Sequence, residues 1–435
     1  MKIYGALLVP LTFPLVAASD DTWSSFQNGG NLNPKIVGVD FSAEGCFERN
    51  HQWSTRLMGY GQSSPVYDGK LLYVTSVKGK SKENCIIQAK RIEDGTDIWH
   101  YQLKNSSPET NSNYVSRAAP TPVCDQRGVI AFFEGGNLVA LNRDGKVRWE
   151  LDLVKKFGPI QARHGLASSL EQDGVNVYVW VERQQSPYLL AINKETGEIG
   201  WKTDGLGVTS WSSPRRVPVG KSHHLVLSGI GKIAGYDPKS GKQLWLFDKI
   251  SGNSTPTPVP IGNGRFLIGA SSGRGESTTG KAAQSNGLVQ IRSKDGKYQA
   301  EFVWQAKQAT SSFGSPLAHG GQAYFVNRSG VLFCLDLKTG EEVYTARIKS
   351  SVWATPLGIG NQVLLFGKDA TTTVVDAGQS FKKLAVHTIW KKDQATESEG
   401  SAAPSFGGPV LYSGILAGKS LIFRRGDQMA CVRCK

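Results

Sequence analysis

The chain has 435 residues, of which 20% are charged and 39% hydrophobic, an ordinary globular balance that excludes a disordered tail as its main content. Its 50 glycines suit many tight turns, and only 3 methionines beside abundant Val, Tyr, Phe and Trp favour strands over helices. The net charge of +14 is spread along the chain, densest at Arg215-Arg216, Lys382-Lys383, Lys391-Lys392 and Arg424-Arg425. Such scatter argues against specific nucleic-acid binding and supports at most a weak attraction to anionic surfaces.

The N-terminus has the pattern of a secretory signal: Lys2, then an apolar stretch from Ile3 to Val16, then Val16-Ala17-Ala18. That stretch is too short to span a membrane as a helix, and no later run is long enough either. Residues 1–18 are therefore expected to be removed near Ala18. The protein would then be exported, periplasmic or secreted, with no transmembrane segment. Residues 19–49 form an N-terminal extension.

From residue 50 to 434 one pattern repeats. Trp53, Trp99, Trp149, Trp201, Trp245, Trp304 and Trp390 recur at intervals of roughly 40 to 60 residues, with Tyr344 in the remaining slot. Each unit opens on small residues and a proline: Pro65, Pro120 or Pro122, Pro214, Pro256, Pro316, Pro356 and Pro404, with Ser168-Ser169 in the third unit. Two apolar strands follow, then a turn at Gly95, Gly145, Gly197, Gly241, Gly296 or Gly340, then a strand carrying the aromatic. Four short antiparallel strands with tight turns make one propeller blade. The reading is an all-β, eight-bladed propeller. The strand around Trp53 closes the last blade and so removes the open sheet edges. Between 401 and 432, Pro404 and Pro409 both fit the start of that blade's inner strand.

Six cysteines are present, and their pairing is open: Cys46, Cys85, Cys124, Cys334, Cys431 and Cys434. The final Cys431-x-x-Cys434 lacks a second Cys or His pair, so it is a weak zinc signal. No nucleophile triad or paired-carboxylate constellation can be assembled from local spacing, and His223-His224 reads as structural.

The turn-and-aromatic segments resemble the tryptophan-docking motif of pyrroloquinoline-quinone (PQQ)-type propellers, Ala-x-Asp-x-x-x-Gly-x-x-x-Trp. Ala191–Trp201 matches with Asn193 for Asp, Gly235–Trp245 with Gly for Ala, and Cys334–Tyr344 with Tyr for Trp. Trp23-Ser-Ser-Phe26-Gln27-Asn-Gly29 is similar to the Trp-x-x-Phe-Arg-Gly opening of secreted PQQ-like repeat proteins, with Gln27 in place of Arg. The resemblance implies that Trp53, Trp99, Trp149, Trp201, Trp245, Trp304, Tyr344 and Trp390 each pack against the neighbouring blade.

Quinone-dependent alcohol oxidisers of this superfamily carry an adjacent Cys-Cys pair and a Glu, Asn and Asp set around calcium. This sequence has no adjacent Cys-Cys and no Cys-x-x-Cys-His haem motif. PQQ with calcium is thus disfavoured. The expected function is a non-catalytic binding scaffold for a protein, polysaccharide or envelope component. The alternatives are a PQQ-dependent dehydrogenase and a propeller like the outer-membrane assembly lipoprotein, whose lipid-bearing Cys is missing here. Any ligand should meet the channel mouth, where Gln62, Arg117, His164, Trp211, Asn253, Phe313, Trp353 and Ser401 precede the innermost strands. Of these, Arg117, His164, Trp211, Phe313 and Trp353 are large enough to clasp a planar or sugar-like group.

Overall fold

The computed structural model describes residues 21–36, 38–109, 116–162, 164–271, 283–390 and 413–433. The signal-like segment, Ser401, Pro404, Pro409 and Cys434 lie outside them. Eight four-stranded antiparallel sheets form a ring. Blade 1 comprises Val66–Tyr67, Leu71–Lys78, Asn84–Arg91 and Asp97–Lys104, from the axis outward. Blades 2 to 7 follow at 123–152, 171–204, 215–247, 259–305, 317–347 and 357–388. Blade 8 takes three strands from 413–432, and His51–Arg56 pairs antiparallel with Gln428–Val432 as its outermost strand. The ring is closed by the Trp53 strand.

Strand position explains strand composition. Middle strands such as Gln322–Val326 and Gln362–Phe366 are buried at every residue, because both faces pack against neighbouring blades. The outermost Asp97–Lys104 alternates between exposed and half-buried.

The turn before each docking aromatic has a chemical reason. In blade 6, the Asp336 carboxylate accepts from the backbone N–H groups of Lys338 (2.9 Å) and Thr339 (2.7 Å). The Gly340 N–H returns to the Asp336 carbonyl at 2.8 Å. Gly340 has φ +75°, and a Cβ there would lie 2.5 Å from the Trp304 indole of blade 5. Only glycine lets the ring lie on the turn. The Trp304 indole N–H then donates to the Leu337 carbonyl at 3.0 Å.

The same bond links Trp53 to Ile92 (2.9 Å), Trp99 to Arg143 (2.7 Å), Trp149 to Lys194 (2.9 Å) and Trp201 to Pro238 (3.1 Å). Tyr344 packs on Phe381 of blade 7 with ring centroids 5.9 Å apart. Trp390 packs on Phe423 of blade 8 at 6.4 Å, and the Arg425 guanidinium sits 5.1 Å from the centre of its ring. Trp245 differs. Its N–H donates to His224 Nδ1 within its own blade, at 3.0 Å. The Gly296 turn of blade 5 is a short hairpin with Asp295 at φ 52°, and a Cβ on Gly296 would meet nothing within 4 Å.

A second ring of bonds runs near the axis. The N–H of each residue Ser64, Thr121, Ser169, Ser213, Thr257 and Ser315 donates to the hydroxyl of the next blade's equivalent, ending on Thr355, at 2.8–3.1 Å. A proline after the hydroxyl residue holds it extended. In blade 5 that proline is Pro258, not Pro256, and in blade 2 it is Pro122. Blade 3 has Leu170 there, and its N–H donates to the Thr121 carbonyl at 3.3 Å.

Cys46 is disulfide-bonded, whereas Cys85, Cys124, Cys334 and Cys431 are buried free thiols. Burial pushes Cys334 and Cys431 up to about 11, which leaves them protonated and unreactive.

Candidate functional site: the central channel

The chain's own N-terminal extension runs across the middle of the channel. Trp23 pairs antiparallel with Tyr67 on the innermost strand of blade 1. The Cys124 N–H of blade 2 donates to the Ser24 carbonyl at 2.9 Å, and the Gly358 N–H of blade 7 donates to the Leu32 carbonyl at 2.9 Å. Gly30 rests on Pro260 of blade 5, where a Cβ would come within 2.5 Å of the proline ring. The segment thus crosses the axis and touches most of the ring.

Gln27 is its tip. The Gln27 amide donates to the hydroxyls of Ser315 (2.9 Å) and Thr355 (2.8 Å), two members of the hydroxyl ring. Its Oε1 accepts from Arg215 Nη2 at 3.0 Å. Arg215, on the innermost strand of blade 4, also donates to the Phe26 carbonyl (3.1 Å) and pairs with Glu171 of blade 3 (3.3 Å). Burial pulls the Arg215 pKa down, and the Glu171 carboxylate opposes it. Gln27 and Asn28 both have left-handed backbone, with φ 55° and 48°, a conformation that costs non-glycine residues energy. Their hydrogen bonds hold it.

The residues expected at the mouth separate into distinct groups. Arg117 does not line an open mouth. It is 2% exposed, its guanidinium lies 3.8 Å from the centre of the Tyr60 ring, and its backbone exchanges hydrogen bonds with Gln62. Asn253 is also buried, donating to the Ser228 hydroxyl and the Lys232 carbonyl, both at 3.0 Å. His164 is exposed and its ring lies 6.0 Å from that of half-buried Trp211. Phe313 and Trp353 form a closer pair at 4.4 Å, and Trp353 donates to the Ser351 hydroxyl at 3.1 Å. Phe313 and Trp353 line a cavity of about 80 Å³ whose floor is Trp23, Phe26 and Gln27 of the extension.

A PQQ–calcium pair does not fit what the described residues offer there. Small-molecule sites run to roughly 300–1,000 Å³, well above the 80 Å³ of this cavity. Calcium wants six to eight oxygen ligands, roughly, with several carboxylates among them. Three buried carboxylates already have protein partners: Glu171 bonds Arg215, Glu134 accepts through one oxygen from the Ala118 N–H (2.9 Å), and Glu182 accepts from Trp180, Leu206 and Val208 (2.8–3.1 Å). Among the described residues no group of three or more His, Cys, Asp or Glu could hold a metal ion.

The importance of Gln27, Glu171 and Arg215 was not seen in the sequence. Two signals were present: the Trp23–Gly29 motif, and an Arg-Arg doublet inside a strand, which strand alternation must split between two faces.

No helix among the described residues is long and apolar enough to cross a membrane. No curated protein matches the sequence significantly. Solved structures show the same fold at low identity. BamB from Moraxella catarrhalis is 13% identical with a TM-score of 0.58, covering 88% of this chain and 96% of that one. Quinohemoprotein alcohol dehydrogenase from Comamonas testosteroni is 12% identical with a TM-score of 0.61, covering 95% and 81%. A europium-containing methanol dehydrogenase is 12% identical with a TM-score of 0.59, covering 94% and 91%. The family model described as outer membrane protein assembly factor BamB matches residues 50–163 and 285–424, more than half of the chain, and this protein belongs to that family of PQQ-like β-propellers.

Proposed function

We propose that the protein is an exported, non-catalytic propeller that serves as a binding scaffold for other proteins of the cell envelope, in the sense of the assembly factor that describes its family. The observation that carries this reading is the occupied axis. The chain's own Gln27, Trp23 and Phe26 lie on the channel axis beneath the mouth where a ligand is expected, and Arg215, Ser315 and Thr355 hold Gln27 there. A scaffold gains from such an occupied axis, because a rigid ring presents its loops in fixed positions. The quinoprotein dehydrogenase is the competing reading, favoured by the fold likeness alone.

One reconstitution separates the two. Purified full chain is titrated with PQQ and calcium and followed by absorbance and thermal melting. The scaffold reading expects no saturable quinone binding and an unchanged melting temperature. Saturable, calcium-dependent binding accompanied by alcohol oxidation with an added electron acceptor would overturn it. N-terminal sequencing of protein recovered outside the cytoplasm tests export, with Ser19 as the expected first residue.

A further inference from the structure

At the end of the channel opposite the aromatic mouth there is a second, larger pocket of about 440 Å³. Its walls are the N-terminal segment around Ser25, Asn31 and Asn33, and the innermost strands of blades 3, 4 and 5. Its volume falls in the range of small-molecule sites.

The charge inside it is uneven. Arg215 and Arg216 are consecutive in one strand, so their side chains leave on opposite sides. Arg215 goes to the axis and to Glu171. Arg216 goes to the pocket, and among the described residues its guanidinium makes one hydrogen bond, Nη1 to the Gln172 carbonyl at 3.3 Å, with no carboxylate within 4 Å. Its buried Nε has no partner.

The acids nearby are committed. Glu171 accepts from Arg215, the Gln172 N–H and the Arg216 N–H. Asp173 accepts from the N–H groups of Val175 and Asn176 and from the Tyr178 hydroxyl at 2.6 Å. His223 also lines the pocket, and burial together with the Arg216 charge lowers its pKa. The pocket therefore combines the Arg216 guanidinium, which has no ion-pair partner within 4 Å among the described residues and meets the Asp173 charge only at longer range, with the Arg215-paired Glu171 carboxylate, neutral hydrogen-bonding groups and the flat faces of Pro218 and Pro260. A guanidinium fork suits the paired oxygens of a carboxylate or phosphate, and amides and hydroxyls suit a polyol.

We propose that this pocket binds a small hydroxylated oxyanion, a sugar carboxylate or sugar phosphate, with Arg216 as its charge partner and Asn31, Asn33 and Ser25 along its hydroxyls. The site is separate from the channel mouth and needs no metal or quinone.

Isothermal titration calorimetry of the full chain with glucuronate, glucose 6-phosphate and glucose, at matched ionic strength, tests it. One or both anionic sugars should bind at one per chain, and glucose at least tenfold more weakly. The two anionic arms distinguish the carboxylate from the phosphate. Arg216→Gln should weaken binding tenfold or more. Asn31→Asp, at an exposed rim position, should weaken it through charge repulsion while leaving the melting temperature unchanged, so the test survives if Arg216→Gln misfolds. No saturable binding of either anionic sugar, equal binding of glucose, or unaltered binding in Asn31→Asp would overturn the proposal.

Discussion

The seam between blades 5 and 6 and the seam between blades 4 and 5 are built from the same repeat, yet they hold by different means. At the first, Trp304 lies on Gly340 and donates to the Leu337 carbonyl of the next blade. At the second, Trp245 is 4% exposed and packs in a cluster with Phe266, Val289 and Ile291 of blade 5, but its N–H stays at home on His224. The facing hairpin at Gly296 is too short to offer a carbonyl turn. A groove of about 580 Å³, lined by Leu246, Tyr298 and Phe302 among others, opens between the two outer strands. The apolar area of an indole is enough to join two blades, whereas the polar bond needs a partner turn of the right length.

The comparison can be broken at its strongest point. Gly340→Ala adds a Cβ 2.5 Å from the indole at a positive φ, so it should cost about 3 kcal/mol by combining backbone strain with displacement of Trp304. Urea denaturation measures it, and a loss below about 1 kcal/mol would mean that the docked turn is not what holds that seam.

Acid should act on the other seam. Burial depresses His224 to about 4 from its ordinary 6.5, so the folded state holds the imidazole neutral while the unfolded chain binds a proton. Stability from this group is complete above pH 6.5 and declines as pH falls toward 4, by on the order of 2–3 kcal/mol. His224→Gln should flatten that part of the pH–stability curve, and an unchanged slope would rule out His224 as its source.

Thr257→Val sharpens the contrast, because the hydroxyl ring is the polar link that both seams share. It leaves the Ser213 N–H buried and unpaired and should cost about 1–2 kcal/mol in the same denaturation assay. The smallest effect is expected at Gly296→Ala. With no atom near the added Cβ, only the positive φ opposes it, at about 1 kcal/mol. Equal losses at Gly340 and Gly296 would erase the distinction between the two seams.

Much of this was legible in the linear chain because the signals are periodic and local. The Asp-x-x-x-Gly spacing of Asp336 and Gly340 encodes a turn through bonds made within five residues. Eight aromatic marks at regular intervals count eight blades, and the Trp53 strand closes the ring. The axis was less legible. Its place before an innermost strand makes Arg117 a candidate clasping side chain at the mouth, but Arg117 turns into the wall over Tyr60, and nothing in its neighbours in sequence announces that contact.

What the sequence by itself determined is the repeat and therefore the propeller, since most units carry their own turn, their own hydroxyl–proline entry and their own aromatic, with Ser169-Leu170 as the exception in blade 3. What only the tertiary structure decided is the content of the channel. Gln27 meets Ser315 and Thr355 across 288 and 328 residues, and Arg215 across 188. Such contacts have no period and no local spacing. They exist because closing the ring brings eight inner strands around one axis, and the extension's polar tip finds its partners only there.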